Sequence, residues 1–330
     1  MTMRPAASRR EYTGRINRVL DHISAHLDRE LTLDELAKVA AFSPYHFHRL
    51  FSELMGEPLF ACIRRLRLER AAGRLLANRD ASITGIALDC GFSSSAVFAR
   101  EFRRQFGVAA SVWRAGGRKE GQTEGKECKT LRKRRKVSAA GLRYDAGGTA
   151  ATGSDHERQG AIMKTAATQV TGQVTVQDLA GYRVAYLRHI GPYEHISINK
   201  VWDRLMQWAG PRGLAGGGTI GISHDDPGIT PAAKLRYDAC VVVGPEVKGE
   251  GEIGIQEIKA GKHAVCRVTC TPDQIKDAFH WLFAEWFPSS GWQCADGPCF
   301  ERYAPECGSG TDAAGNPLFV FDICVPVQPL

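Results

Sequence analysis

The chain has 330 residues, of which 43% are hydrophobic, 24% charged and 8% aromatic. This composition is typical of a globular protein and excludes a wholly disordered, collagenous or coiled-coil chain. At about 50 to 200 residues per domain, the length predicts two domains rather than one. No segment approaches the roughly 20 consecutive apolar residues of a membrane span, and the first residues lack the apolar stretch of a secretory signal. We therefore expect a cytoplasmic protein with no membrane partner.

The net charge of +7 is unevenly distributed along the chain. Residues 1–115 carry +6, residues 116–171 carry +6 and residues 172–330 carry −5. A basic first part favours a polyanionic partner, and an acidic last part favours a neutral or cationic one. The middle part is rich in Gly, Ser, Thr and Ala without apolar periodicity, which is typical of a flexible linker. Its basic cluster at 129–136 either contacts phosphates or is a solvated run of charge.

The ten cysteines raise the question of disulfides and metal sites. A reducing compartment favours free thiols. Cys294, Cys299 and Cys307 lie close together in the sequence, but no CxxC pair and no zinc-type histidine spacing accompanies them. We therefore predict neither a metal site nor a cofactor.

The first third of the chain contains an internal repeat. Segment 33–56 recurs as segment 83–107, with Ala41 of the first copy matching Gly91 of the second. Each copy has the pattern of a short amphipathic helix, a turn of small residues, an N-cap serine and a second helix. This order is the outline of a helix-turn-helix, so the sequence predicts two such units in tandem.

The second helix of each copy has one apolar and one polar face. In the first copy four apolar residues recur at the spacing of a buried stripe, namely Phe47, Leu50, Phe51 and Leu54. The outward residues are of types that contact bases and phosphates in the major groove. They are Tyr45, His48 and Arg49 in the first copy, and Ser95, Ala96, Arg100 and Arg103 in the second. The alternative is an ordinary solvated helix face.

Segment 59–77 lies between the two copies and has the apolar spacing of one long helix. A helix of this length can place the two outward-facing helices in successive major grooves of DNA, ~34 Å apart. Arg64, Arg65 and Arg67 are either additional phosphate contacts or stabilising surface charges.

These motifs carry a family resemblance. Residues from about 12 to 115, with LTLDELAKVAAFSPYHFHRLF and GFSSSAVFAREFRRQFGVAASVWR, resemble the AraC/XylS DNA-binding domain. The resemblance implies a domain that binds double-stranded DNA as a monomer at an asymmetric site. It further implies that the site is read by Tyr45, His48 and Arg49 of the first unit and by Ser95, Ala96 and Arg100 of the second.

A second repeat occupies the last half of the chain. Val176, Gly181 and Pro192 match Ile255, Gly261 and Pro272 at offsets of 79 or 80 residues. Each copy has the pattern of a β-hairpin, a helix and further strands, which predicts an α+β domain of two similar halves. The groove between two such halves is a natural pocket for a ligand.

The strand pattern CFERYAP places Glu301 and Tyr303 on one face and Phe300 and Arg302 on the other. A carboxylate among aromatic rings suits an organic cation, although a solvent-facing glutamate is the simpler alternative. Further aromatic residues either line this site or form core, namely Tyr193, Trp202, Tyr237, Trp281 and Trp286.

The last half also carries a family resemblance. Residues from about 172 to 330, with GYRVAYLRHIGPYEH, KLRYDACVVV and CFERYAP, are similar to GyrI-like effector-binding domains. The resemblance implies small-molecule binding in the groove between the repeats, often of hydrophobic cations, with Glu301 as the counter-charge.

The sequence thus predicts a multidomain protein with three parts. They are an all-α double helix-turn-helix domain at 1–115, a basic flexible linker at 116–171, and at 172–330 an α+β GyrI-like domain of two repeated hairpin-helix-strand halves. The predicted function is a sequence-specific transcription regulator, not an enzyme, that responds to a small hydrophobic or cationic effector. Double-stranded DNA, the effector and RNA polymerase are its expected partners.

The sequence has two alternatives to this function. The first is a small-molecule hydrolase tethered to a DNA-binding domain, in which Glu301 activates water. The second is an alkylation-repair adaptor with a reactive cysteine, which is disfavoured because Cys62 and Cys90 lie in segments predicted to be packed helices.

Overall fold

A computed structural model describes residues 5–78, 80–116, 171–271, 274–295, 297–303, 310–311 and 317–330. The predicted linker lies outside these ranges except for residues 116 and 171. The first described part is helical, as predicted. Its helices are α1 (Pro5–Ala25), α2 (Leu33–Val39), α3 (Pro44–Met55), α4 (Leu59–Ala77), α5 (Ile83–Asp89), α6 (Ser95–Phe106) and α7 (Ala110–Arg114). Helix α4 has the bounds that the apolar pattern predicts.

Short polar side chains set the first turns of these helices. The hydroxyl groups of Thr32, Ser82 and Ser94 accept hydrogen bonds from backbone amides at the start of α2, α5 and α6. Ser43 has the extended backbone of an N-cap residue before α3, but its side chain makes no capping hydrogen bond. Pro44 begins α3, where its missing N–H needs no partner. The two repeated units therefore start their second helices in different ways.

The turn inside each unit needs a left-handed backbone. Ala41 has φ 53° and Gly91 has φ 79°, and the two residues occupy matching positions of the repeat. Among the described residues, Ala41 is the one non-glycine residue with positive φ. The duplicated sequence therefore forms the same turn twice. Only the second copy has glycine, which adopts positive φ without steric cost, at this position.

Each helix-turn-helix unit has its own hydrophobic core around α4. Phe47 and Phe51 of α3 are buried with side chains of α1, α2 and the first half of α4. Phe98 and Phe102 of α6 are buried with side chains of α5, α7 and the second half of α4. Helix α4 thus contributes to both cores and fixes the two units relative to each other.

The buried stripe of α3 differs in detail from the predicted one. Leu54 is 39% exposed and Leu50 is only half-buried, whereas Met55 is 8% exposed and belongs to the core. The stripe continues from Phe51 to Met55 because the core contacts α3 along the i, i+4 direction. Leu54 therefore faces away from it.

The C-terminal part is an α+β domain. Its elements are β1 (Thr171–Leu179), β2 (Tyr182–Ile190), α8 (His195–Ala209), β3 (Thr219–Ser223), β4 (Arg236–Val242), β5 (Gly254–Ile258), β6 (Gly261–Cys270), α9 (Ile275–Trp281), α10 (Phe287–Ser290), β7 (Trp292–Cys294), β8 (Cys299–Tyr303), β9 (Gly310–Thr311) and β10 (Pro317–Pro329). A π-helical segment, Leu282–Trp286, joins α9 to α10. The strands form one sheet in the order β1-β6-β10-β8-β3-β4-β2-β5, while β7 and β9 pair with β10.

The hairpins predicted from the second repeat do not form, so this expectation was wrong. Strand β1 pairs with β6, and β2 pairs with β5. The repeat pattern identifies strands but cannot assign their partners, since a strand with one apolar face can pair with either neighbour. The exchange of partners, together with the pairing of β3 with β8, joins the two halves into a continuous sheet.

Helices cover one face of the sheet. Helix α8 packs on β2 and β4, and the helical segments from α9 to α10 pack on β6 and β10. We call this the helix-covered face. The opposite face has its own buried cluster, which includes Tyr186, Ile222 and Phe300. Within the described ranges, no helix combines the length and apolarity needed to cross a membrane.

Candidate DNA-binding surface and ligand site

The predicted DNA-reading residues lie on α3 and α6. His48 and Arg49 of α3 are exposed, and so are the four predicted residues of α6, namely Ser95, Ala96, Arg100 and Arg103. Tyr45 belongs to α3, but its side chain lies outside the described part of the structure. The helix faces that carry these side chains are accessible to a large partner such as DNA.

A carboxylate organises the arginines beside α6. Glu101 has a 13% exposed side chain, and it lies 3.5 Å from Arg64 of α4 and 3.8 Å from Arg100. Arg104 also pairs with it. Arg64 thus connects α4 to α6, whereas the side chain of Arg100 remains 72% exposed.

Two arginines of α4 are structural rather than free for phosphate. Arg65 donates hydrogen bonds to Glu57 at 2.7 Å and to Glu69 at 2.9 Å, and its side chain is 10% exposed. Arg67 donates to the backbone carbonyl of Leu27 at 2.9 Å. Of the two alternatives for these side chains, the structure therefore favours stabilising contacts.

The predicted ligand site around Glu301 lies on the helix-covered face of β8. Glu301 is 6% exposed, and it faces Gly221 across the pairing of β8 with β3. A Cβ atom at Gly221 would lie 2.2 Å from the hydroxyl of Tyr237 and 3.0 Å from Oε2 of Glu301. Gly221 is therefore what allows these polar side chains to meet beside β3.

Hydrogen bonds from aromatic side chains hold the carboxylate. The hydroxyl of Tyr303 donates to Oε2 of Glu301 at 2.7 Å. Nε1 of Trp202, on α8, donates to the hydroxyl of Tyr237 at 3.2 Å. Burial raises the pKa of Glu301 to about 7, against the hydrogen bonds of Tyr303 and Tyr237, which lower it. The carboxyl group is therefore poised to change its charge near neutral pH.

The site lies where the two repeated halves meet. Counted inward from the two edges of the sheet, matching strands of the two repeats occupy the same positions: β1 and β5, then β6 and β2, then β10 and β4, and finally β8 and β3. A pseudo-twofold axis therefore passes between β3 and β8. Gly221 and Glu301 are 80 residues apart, which is the offset of the repeat, and they pair with each other at this axis. One half thus contributes the carboxyl group, and the other contributes a glycine whose missing side chain leaves room for the hydroxyl of Tyr237. Gly221 was not among the predicted site residues, although the offset of the repeat already matches it to Glu301 in the sequence.

The structure separates the predicted aromatic residues into two groups. Trp202, Tyr237 and Tyr303 lie around Glu301, as described above. Trp281 is buried in the core beneath α9, and Trp286 packs against the same core. Trp281 and Trp286 are therefore core residues, which was the alternative to lining the ligand site.

Tyr193 has a different environment from the residues that contact Glu301. Its hydroxyl donates to the backbone carbonyls of Arg236 at 2.8 Å and Asp225 at 3.2 Å. Its ring lies 6.2 Å from that of Tyr237 in a T-shaped arrangement. Tyr193 therefore packs against the ring of Tyr237 and holds the adjacent backbone, without being shown to contact Glu301.

The cysteines of the described ranges are free thiols. Burial raises the pKa of Cys62 to about 12, which is unfavourable for a nucleophilic thiolate. Cys294 and Cys299 are half-buried, and Cys307 lies outside the described residues. The part of the chain that the structure describes has no group of three or more potential metal ligands.

Two family models match the chain. A helix-turn-helix domain matches residues 36–116, and a GyrI-like small molecule binding domain matches residues 172–328. The regulatory protein PocR of Salmonella typhimurium is 33% identical over 103 residues, which are 31% of this chain and 34% of PocR. The DNA gyrase inhibitor of Edwardsiella ictaluri is 29% identical over 160 residues, which are 47% of this chain and 98% of that protein. The chain thus spans about a third of PocR and nearly all of the gyrase inhibitor.

Solved structures match the first domain. The DNA-binding domain of AdpA in complex with a target DNA is 31% identical, and the match covers 31% of this chain and 92% of that domain with a TM-score of 0.29. An AraC-type transcriptional regulator from Chromobacterium violaceum is 28% identical, and the match covers 32% of this chain and 95% of that chain with a TM-score of 0.30. The chain therefore joins a helix-turn-helix domain of the AraC type to a C-terminal GyrI-like small molecule binding domain.

Proposed function

We propose that this regulator binds a specific double-stranded DNA site through α3 and α6 and is controlled by a small hydrophobic cation bound beside Glu301. The observation that carries the proposal is the buried carboxyl group of Glu301 among aromatic side chains, in a domain of a small-molecule-binding family. The proposal assigns the site to residues of both halves, since Gly221 and Tyr237 belong to the first and Glu301 to the second.

A cation is the ligand that this environment favours. The hydrogen-bond partners of Glu301 are the phenol groups of Tyr303 and Tyr237, which stabilise a carboxylate but do not neutralise it. A bound cation supplies the missing counter-charge in a site of low polarity, where that charge has its largest effect. The rings of Trp202 and Tyr303, 6.2 Å apart, add faces that attract a cation.

The exposed cationic side chains of the reading helices support binding to DNA. Arg49 of α3 and Arg100 of α6 face outward from units that α4 holds together. Arginine in a helix that enters the major groove reads guanine or holds phosphate. We assign base reading to His48 and Arg49, and phosphate contacts to Arg100 and Arg103, because Ser95 and Ala96 have short side chains.

The consequence of DNA binding that we propose is a change in transcription through contact with RNA polymerase. The relatives described above are named as a regulator and a gyrase inhibitor, which gives the hydrolase alternative no support. The action of Glu301 in our proposal is to bind charge, not to activate water.

Two binding measurements on the full chain test the proposal. A DNA site is first selected from a random double-stranded library, and fluorescence anisotropy then compares it with a scrambled sequence over a range of salt concentrations. Calorimetry measures binding of tetraphenylphosphonium, a hydrophobic cation, against triphenylphosphine oxide, a neutral molecule of similar shape. We expect preference for the selected DNA and for the cation.

Matched variants identify the residues responsible. Arg49→Ala should remove the preference for the selected DNA, whereas Arg212→Ala, an exposed arginine in the other domain, should not. Glu301→Gln should abolish binding of the cation, whereas Glu246→Gln on an exposed loop should not. Equal binding to both DNAs contradicts the first half of the proposal, and a cation affinity that survives Glu301→Gln contradicts the second.

A further inference from the structure

The DNA-binding domain and the GyrI-like domain contact each other through buried charged groups. NH1 of Arg188, on β2, lies 2.7 Å from Oδ1 of Asp21 on α1. Nε and NH2 of the same guanidinium donate to Asp238 of β4 at 2.7 and 2.6 Å. The hydroxyl of Tyr186 also donates to Asp21. Helix α1 is therefore attached to the sheet, on the face opposite Glu301.

Arg236, the first residue of β4, makes a second buried contact with α1. Its NH1 donates to Oγ of Ser24 at 2.9 Å, and its Nε and NH2 donate to Asp225 at 2.9 and 2.7 Å. Burial raises the pKa of Glu69, on α4, to about 7, and the charges of Asp225 and Arg236 both act on this carboxyl group. Ser24 of α1 thus contacts the start of β4, and Glu69 of α4 is close enough to be influenced by its charges.

The segment between β3 and β4, residues 224–235, extends into the DNA-binding domain. Ile229 is 5% exposed and belongs to the hydrophobic core formed by α4, α5 and α6. Nζ of Lys234 donates to the backbone carbonyl of Met55, the last residue of α3, and lies 3.7 Å from Glu57. A cation at the C-terminal end of a helix stabilises the terminal carbonyls. The β3–β4 segment therefore supplies a cap to the first DNA-reading helix.

Both ends of the β3–β4 segment are joined to the ligand site. It begins three residues after Gly221 and ends two residues before Tyr237, and these are the two residues that the first half of the domain places beside Glu301. Because side chains alternate along a strand, Tyr237 faces Glu301 while the adjacent Arg236 faces α1.

The ligand site has no spare room beside Tyr237. Glu301 is 6% exposed, and even one added carbon atom at Gly221 would lie 2.2 Å from the hydroxyl of Tyr237. A ligand that enters between β3 and Tyr237 to reach the carboxylate therefore displaces Tyr237. The backbone next to Tyr237 is held by Tyr193, through its hydrogen bond to the carbonyl of Arg236, so a displacement at this point acts on the start of β4.

We propose that the β3–β4 segment is the interaction surface through which the GyrI-like domain controls the DNA-binding domain. Occupancy of the Glu301 site moves Tyr237, loosens the contacts of Ile229, Lys234 and Arg236, and so alters the position of α3 relative to α6. This inference rests on the proposed function, because it requires that one chain binds both DNA and a cation. The coupling is reciprocal, so DNA changes the affinity for the cation by the same factor as the cation changes the affinity for DNA.

The test measures that factor in the full chain. The dissociation constant for the selected DNA is determined with and without saturating tetraphenylphosphonium, and the constant for tetraphenylphosphonium is determined with and without DNA. Ile229→Ala and Lys234→Met change contacts to the DNA-binding domain without altering the residues around Glu301. Lys259→Ala is the control, since Lys259 is exposed between β5 and β6. Hydrogen exchange of α1 and of the last turn of α3 gives a readout that does not depend on DNA.

We expect a factor of about five or more for the wild-type chain and for Lys259→Ala, and a factor near one for Ile229→Ala and Lys234→Met. The cation should also accelerate hydrogen exchange in α1 and α3 of the wild-type chain. A factor of one in a wild-type chain that binds both partners overturns this inference and leaves the proposed function intact. A factor that both variants retain overturns the role of the β3–β4 segment. A chain that fails to bind either partner overturns the proposed function, and this inference with it.

Discussion

The hydroxyl of Tyr303 donates a hydrogen bond of 2.7 Å to the carboxyl group of Glu301, two residues earlier on the same strand. Neighbouring side chains on one face of a strand are close enough for this contact because the pleat repeats every second residue. The phenol group partly offsets the cost of burying the carboxylate, whose pKa is nevertheless raised to about 7. The charge of the site therefore depends on the conditions near neutral pH.

The raised pKa predicts how stability depends on pH. Between about pH 4.5 and pH 7 the folded chain retains the proton of Glu301, whereas the unfolded chain releases it, so the free energy of unfolding falls as pH rises through this range. For this one group the loss amounts to about 3 kcal/mol. Glu301→Gln removes the loss and should be more stable than the wild-type chain at pH 8 but not at pH 4. Urea unfolding at both pH values measures this difference.

Glu69 also has a pKa raised to about 7, so the wild-type curve contains two such groups. The difference between Glu301→Gln and the wild-type chain isolates the contribution of Glu301. Glu246→Gln, at an exposed position, should reproduce the wild-type curve. Parallel curves for Glu301→Gln and the wild-type chain would falsify the assignment of a raised pKa to Glu301.

Binding of a cation should depend on pH in the opposite sense. In the proposed site the cation binds the ionised form of Glu301, so affinity for tetraphenylphosphonium should rise up to about tenfold per pH unit below pH 7 and become constant above it. Tyr303→Phe removes a donor that lowers the pKa of Glu301. We expect this variant to move the midpoint to higher pH and to reduce the affinity at pH 7 roughly tenfold. Calorimetry from pH 5 to pH 9 tests both shifts, and a profile independent of pH contradicts them.

Local patterns predicted much of the fold. The spacing of apolar residues gave the bounds of α4, and the repeat at 33–56 and 83–107 located both helix-turn-helix units. Alternation along CFERYAP correctly placed Glu301 on the face opposite Arg302, which instead donates to Asp322 at 2.6 Å. Each of these features depends on residues that are near one another in the sequence.

Features that depend on distant residues could not be predicted in this way. The exchange of strand partners between β1 and β2 depends on which apolar faces meet in the folded sheet. Lys234 belongs to a loop of ordinary composition, and only the structure brings it to the end of α3. For Arg65 the sequence left phosphate contact and stabilising charge as alternatives. Its partner Glu69 lies one turn later on α4, but its partner Glu57 precedes α4 and therefore lies outside the helical pattern.

The glycine opposite Glu301 predicts a steric effect on the ligand site. Gly221→Ala places a methyl group 2.2 Å from the hydroxyl of Tyr237, so Tyr237 and Glu301 must move apart. We expect a loss of about 1–3 kcal/mol of stability, as for other overpacked sites, and at least a tenfold loss of affinity for tetraphenylphosphonium. Gly216→Ala is the matched control, since a Cβ atom at Gly216 meets nothing within 4 Å. Unchanged affinity in Gly221→Ala would show that the ligand binds elsewhere.

The exposed arginines of α6 predict the salt dependence of DNA binding. Arg100 and Arg103 are assigned to phosphate, so each change to Ala should reduce the slope of log affinity against log salt concentration by about 0.9. The preference for the selected DNA over a scrambled one should be retained, in contrast to Arg49→Ala. Anisotropy titrations at four salt concentrations measure both quantities. If Arg100→Ala instead removes the preference and leaves the slope unchanged, then Arg100 reads a base.

The paired turns of the helix-turn-helix units predict opposite effects of exchanging Ala and Gly. Ala41 has φ 53°, a conformation that costs a non-glycine residue roughly 1 kcal/mol, so Ala41→Gly should stabilise the first unit by up to about this amount. Gly91→Ala should destabilise the second unit by more than about 1 kcal/mol, because it combines the strain of φ 79° with a Cβ atom 2.1 Å from the carbonyl oxygen of Leu27. Thermal unfolding of both variants measures the two changes. The destabilisation by Gly91→Ala should exceed the stabilisation by Ala41→Gly, because the clash with Leu27 adds to the backbone strain. Two changes of equal magnitude would contradict this prediction.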